Sequence, residues 1–152
     1  MSFEQLSELV GRPLPGAELV LEDYEHWLGC DAILAPPLPG GVAHPMFAYY
    51  LALRGMGLTL DEMFALMGAD ASAGVMFGEA RLEWHEELKV GGRYRVDGEI
   101  VDVVRKSGRR SGTFDVLTFR LEVRATGSSV AWSTGSSVAT STNSFVFPRS
   151  AP

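Results

Sequence analysis

The chain has 152 residues, the size of one domain and enough to bury a core. Apolar residues make up 46% and charged residues 21%, a balance that excludes a disordered chain. The net charge of −6 disfavours nucleic acid and anionic membranes, which are held by excess Lys and Arg. No apolar run reaches the length of a membrane-spanning helix. The first ten residues carry Glu4 and Glu8 without a basic cluster, which is not the pattern of a secretory signal. A single cysteine, Cys30, allows neither an intrachain disulfide nor a Cys-based zinc site, and a free thiol fits a cytoplasmic location.

Ala17 to Leu21 reads as a first strand. Residues 23 to 29 read as a short helix, with Asp23 to cap it and Gly29 to end it. Pro36, Pro37, Pro39, Gly40 and Gly41 then form a loop, since neither helix nor central strand survives that density. From His44-Pro45 to Arg54 a second helix follows, ended by Gly55 and Gly57. Met46 to Leu53 carries no charge, so this helix is apolar all round and needs cover on most sides, for which a curved sheet is the natural solution. Thr59 to Glu62 is a capping box opening a third helix with Leu60, Met63, Phe64 and Met67 at helical spacing.

The remainder is strand-rich. Residues 80 to 88 alternate, with Ala80, Leu82, Trp84 and Leu88 apolar against Glu79, Arg81, Glu83, His85 and Glu87, which predicts a half-buried strand. Gly91-Gly92 is a turn. Tyr94, Val96, Ile100 and Val103 mark the next strand, with Gly98 a candidate bulge. Residues 106 to 112 read as a hairpin loop, and Leu117, Phe119, Leu121 and Val123 as the clearest strand. Residues 130 to 138 read as the last strand, with Phe145-Val146-Phe147-Pro148 as an apolar tail beyond it that packs on a neighbouring chain or across the domain. Residues 126 to 131 nearly recur at 134 to 139, two copies too short for a repeat architecture, and we assign them no function. Strands grouped to one side of the helices predict a single α+β domain over residues 1 to 152.

Several segments resemble the MaoC-like dehydratase and hydratase family, specifically its N-terminal, FAS1-like dehydratase type of hot-dog domain. They are Gly41 to Phe47, Phe77 to His85, Leu88 to Tyr94, and the strand pair around Arg105 to Arg109. The resemblance implies an antiparallel sheet wrapped around a buried helix. It implies pairing of two such units and acyl-coenzyme A or acyl-carrier thioesters bound along their interface. It further implies reversible addition of water across the 2,3 double bond, with no cofactor. Active members share an Asp, an Asn-Pro loop and a nearby His before the central helix. Here Gly29 to Pro37 offers Asp31, no Asn-Pro, and no His until His44, which implies that a partner subunit supplies the dyad.

Hydration needs a base, an acid and donors for an enolate-like oxygen, and backbone amides at the start of the central helix are candidates for the last. His44 and Asp31 are the candidate catalytic residues, weighed against a packed or capping His and a turn Asp. Gly41, Val42, Phe47 and Tyr50 are candidate substrate contacts, as are Arg105, Lys106 and Arg109, which with Arg110 form a basic cluster suited to coenzyme A phosphates or simply a solvated hairpin. His26 reads as a solvated helical residue, and His85 as facing solvent or a subunit seam. Three scattered His do not make a metal site. The expected partners are an acyl thioester and either a second copy or a catalytic MaoC-like subunit. Three functions stay open: a hydratase/dehydratase component, a non-catalytic binding or scaffold subunit, and a thioesterase. The last is disfavoured because the central helix carries no carboxylate.

Overall fold

The structure is a computed structural model that describes residues 2–109, 112–126 and 136–149. It is α+β, with five strands among the described residues in one antiparallel sheet of order β1-β3-β4-β5-β2. The strands are β1 (Pro13–Val20), β2 (Met76–Trp84), β3 (Arg93–Gly108), β4 (Gly112–Ala125) and β5 (Ser137–Arg149). The helices are α1 (Phe3–Ser7), α2 (Asp23–Ala32), α3 (Phe47–Arg54) and α4 (Leu60–Leu66). The sheet curls around α3, which contacts β4, β5 and β2. This is the hot-dog arrangement that the resemblance implies.

Local signals place several elements where the sequence puts them. The Thr59 side chain accepts from the Glu62 amide and Glu62 accepts from Thr59, so the capping box opens α4. Leu117, Phe119, Leu121 and Val123 of β4 are all fully buried, as the strict alternation requires. In β3 the bulge falls between Ile100 and Asp102, not at Gly98. It shifts the buried parity from Tyr94, Val96 and Ile100 to Val103. Gly98 instead pairs regularly with Leu121, whose Cδ2 would lie 2.6 Å from a Cβ placed there.

Three expectations are corrected. α2 runs to Ala32, past Gly29, and its capping box is formed by Glu22 and Glu25, not Asp23. Gly29 serves packing, because a Cβ there would sit 2.6 Å from the Phe47 ring. The hairpin loop is shorter than 106–112, since β3 extends to Gly108 and β4 begins at Gly112. The largest correction concerns the tail. Phe145 to Pro148 belongs to β5, paired between β4 and β2 with Phe145 opposite Leu117 and Phe147 opposite Asp115. Phe147 is fully buried, and Phe145 stacks on Phe119 at 5.5 Å and meets Phe64 edge-on at 5.4 Å. The strand expected over 130–138 lies largely outside the described residues, as do Arg110 and most of the near-repeat.

One end of the core is closed by charge. Asp115 is fully buried and receives both Arg105 (2.7 and 2.9 Å) and Arg149 (2.6 Å), while Arg149 also donates to the Met67 carbonyl at 2.9 Å. Burial alone would raise the Asp115 carboxyl, but the two guanidiniums outweigh it and hold it below the usual carboxylate range. Its contribution to stability is therefore present at neutral pH and lost as pH falls through that lowered value. Asp115→Asn should lower the urea midpoint at neutral pH and weaken its fall on acidification, checked by urea unfolding across a pH series. Removing residues 143–152 takes away most of a central strand, so cooperative thermal unfolding by circular dichroism should disappear altogether.

Candidate functional site

The centre of interest is the start of α3 and the groove beside it. Residues 39–46 approach over the turn Pro39–Gly41, and Val42 bridges to Lys89. Four backbone amides at the start of α3 find partners inside the chain. The His44 N–H donates to His26 Nε2 at 3.1 Å, and the Met46 N–H donates to His44 Nδ1 at 3.2 Å. Phe47 and Ala48 donate to the carbonyls of His44 and Pro45, and Pro45 itself has no N–H. The expectation that amides here polarise a thioester carbonyl is thus corrected: from His44 to Ala48 none is left over.

His26 is buried, contrary to the reading of a solvated helical residue. Beyond accepting from His44, its Nε2 lies 3.4 Å from Cys30 Sγ one turn along α2, and its ring is 5.0 Å from Phe47. Since Nε2 accepts, the ring hydrogen sits on Nδ1; since His44 Nδ1 accepts, the hydrogen of that ring sits on Nε2. No local pattern announces the burial of His26, but the i, i+4 pair with Cys30 flanking the small Gly29 was the available sign. Asp31 is exposed near the C-terminal end of α2 and makes no hydrogen bond to either histidine among the described residues. The structure therefore does not assemble Asp31 and His44 into a hydrogen-bonded pair.

The groove lies between α3 and β2, with a volume of about 750 Å³. Its walls include Met46, Tyr49, Tyr50 and Leu53 from the helix side and Phe77, Leu82 and Trp84 from the strand. β2 carries a register shift between Phe77 and Ala80, so Phe77 joins Ala80, Leu82 and Trp84 on the groove face, and that face is uncovered: Phe77 is 51% and Trp84 52% exposed. Trp84 anchors the strand to the helix start by donating its indole N–H to the Pro45 carbonyl at 3.0 Å. Of the residues proposed as substrate contacts, Tyr50 lines the groove, while Phe47 is buried beneath it. Gly41 is exposed on the approach loop and Val42 half-buried.

The basic cluster is not brought to this place. Arg105 is held by Asp115 and lies over the Phe3 ring at 5.1 Å. It sits on β3, three strand spacings or about 14 Å from β2 across the sheet. Lys106 and Arg109 are exposed at the hairpin end of β3. Among the described residues no group of three or more His, Cys, Asp or Glu is placed to hold a metal ion, and no helix is long and apolar enough to cross a membrane.

A carboxylate does reach the central helix, from α2 rather than from α3 itself. Glu25 Oε1 accepts from the Tyr50 hydroxyl at 3.0 Å and from Arg54 Nη1, and Arg54 Nη1 also donates to the Tyr50 oxygen at 3.3 Å. Burial, and after it the hydrogen bond to Glu25, raises the Tyr50 phenol.

A sheet curled on one helix, with an apolar groove along that helix, is the hot-dog fold. The family model described as FAS1-like, dehydratase domain region, matches residues 29–132, and the chain belongs to that family. No curated protein matches the sequence. Among solved structures it is similar to the ChsH1-ChsH2 complex from Mycobacterium tuberculosis, at 15% identity and TM-score 0.71 over 99% of this chain and 93% of that one. It is also similar to the HadBC (3R)-hydroxyacyl-ACP dehydratase complex from the same organism, at 14% identity and TM-score 0.61 over 91% and 96% of the two chains. A MaoC-like dehydratase from Rhodospirillum rubrum matches at 13% identity and TM-score 0.58, covering 94% of each chain. At these identities the likeness is one of fold.

His26→Ala should remove the acceptor of a part-buried amide and open a void beside Phe47, costing about 2–4 kcal/mol. Urea unfolding checks the size, and nitrogen-15 spectra of the imidazoles should show His26 carrying its hydrogen on Nδ1 and His44 on Nε2.

Proposed function

We propose that the chain is a subunit of an acyl-thioester hydratase or dehydratase, in which a partner hot-dog subunit supplies the catalytic Asp and His. The observation that carries this reading is the uncovered apolar groove between α3 and β2 in a chain of the FAS1-like dehydratase family. A partner seated on β2 covers the exposed face of Trp84 and Phe77 and turns the open groove into a tunnel for the acyl group. The separation of Asp31 from His44, and the engaged amides at the start of α3, support placing the chemistry on the partner. Both complexes named above join unlike hot-dog subunits, and the same assembly here gives this chain the part of binding and shaping rather than proton transfer.

The β2 edge suits such pairing. Strand edges seek partners, and β2 presents Glu79, Arg81 and Glu83 on one face. A second copy running antiparallel about Leu82 sets each Arg81 opposite a Glu83, so self-association through the same edge is also favourable. A purely scaffolding role is the second reading, and it is favoured by the same engaged amides.

The test is hydration of short- and long-chain enoyl-coenzyme A by the purified chain, alone and co-expressed with a MaoC-like subunit carrying the Asp and His. We expect no turnover alone and turnover with the partner. Turnover by the chain alone that is lost in His44→Ala would defeat the partner requirement. Turnover in neither case would leave the scaffold. Leu82→Lys should shift the assembly towards monomer in sedimentation, since it places a charge on the apolar face to be covered.

A further inference from the structure

The groove is apolar along most of its length, which makes its one charged lining residue informative. Arg54 sits at the C-terminal end of α3, eight residues from Met46, or about 12 Å along the helix. A guanidinium beside apolar walls is costly unless it is paired. Here the pairing is built in. Glu25, whose side chain is only 9% exposed, crosses from α2 to meet Arg54, and Tyr50 bridges the two.

The hydrogen-bond inventory shows what this cluster offers. Tyr50 donates its hydroxyl hydrogen to Glu25 and accepts from Arg54, which leaves its oxygen a further lone pair. Both bonds from Arg54 run through Nη1, while a guanidinium has five N–H groups. The Arg54 side chain is 44% exposed and lines the groove, and among the described residues its Nη2 and Nε make no hydrogen bond within the chain. The charges of Glu25 and Arg54 cancel. The cluster is thus net-neutral and offers the guanidinium N–H donors of Arg54 beside one acceptor lone pair on Tyr50, matched to a neutral oxygen: a keto group accepts from Arg54, and a hydroxyl can also donate to Tyr50. A carboxylate would have to share one guanidinium with Glu25, and like charges brought together repel.

We infer that the groove takes an acyl group bearing a keto or hydroxyl oxygen far from its thioester, read by Arg54, with Tyr50 and Glu25 holding the guanidinium in place. This rests on the acyl-thioester reading above and adds the substrate class. With the thioester near the start of α3, a short acyl chain does not span the about 12 Å to Arg54, whereas a long or ring-bearing one does.

The experiment compares binding of three coenzyme A thioesters of equal, medium-to-long acyl length by calorimetry. One is unsubstituted, one carries a keto group near its far end, and one carries a terminal carboxylate. The wild-type chain should bind the keto probe about tenfold more tightly than the unsubstituted one, the worth of one hydrogen bond to a charged group. It should bind the carboxylate probe less tightly than the keto probe. In Arg54→Met the ratio of keto to unsubstituted should fall to about one. Tyr50→Phe, a milder change that keeps the ring, should reduce it in part. Glu25→Gln should turn the preference towards the carboxylate, because the guanidinium then lacks its counter-ion. A structural role alone predicts parallel weakening of all three probes and no change in their ratios. Equal binding of keto and unsubstituted probes by the wild type overturns the inference and leaves the acyl-thioester reading standing. Binding of none of the three overturns both.

Discussion

The structure depends on an imbalance around one helix. From Met46 to Leu53, α3 is apolar on every side, but the sheet can cover only one of them. Phe47, Ala48, Leu51 and Ala52 are buried, with α3 meeting β4 and β5 on one side and Phe47 packing on Gly29 and His26 of α2, and their burial anchors the core. Met46, Tyr49, Tyr50 and Leu53 face the other way, towards β2, which is itself exposed on most of its length. A monomer seldom leaves a contiguous apolar surface of this kind without a use for it. The groove and the open face of β2 both follow from that shortage of cover.

The same constraint explains the polar arrangements. Bringing α2 close enough to pack on Phe47 requires Gly29, and that closeness carries His26 and Cys30 inward with it. Once buried, His26 needs a partner, and the amide of His44 provides one. His44 then caps its own helix through Nδ1, since the side chain of Met46 makes no cap. The start of α3 is therefore tied to α2 by one hydrogen bond, His44 N–H to His26, and its next amides are engaged within the segment itself.

How much was legible in the sequence follows from how local each cause is. The capping box of α4 and the alternation of β4 are set by residues a few positions apart, and both are where the sequence puts them. The hot-dog class came from segments that resemble a family, and the sheet order agrees. The last strand was misplaced because residues 137–144 are mostly Ser, Thr and small residues whose alternation is faint. What makes β5 central is its pairing with β4 and β2, neither of which is adjacent in a way that local periodicity reveals. Asp115 and Arg149 are thirty-four positions apart, so the ion cluster that closes the core was read only as loose basic charge around Arg105. Asp31 and His44, picked out for their residue types, prove to lack the contact that would make them a pair.

The absence of a carboxylate on α3 was an argument against thioester hydrolysis, and the structure changes its form. Glu25 arrives at that helix from α2, so a carboxylate is present after all. What decides is its bonding. One oxygen accepts from both Tyr50 and Arg54, and a carboxylate engaged in that way is poorly placed to attack a carbonyl or activate a water. The fold supplies an apolar groove with a neutral polar terminus, and Glu25 is engaged in holding that terminus together.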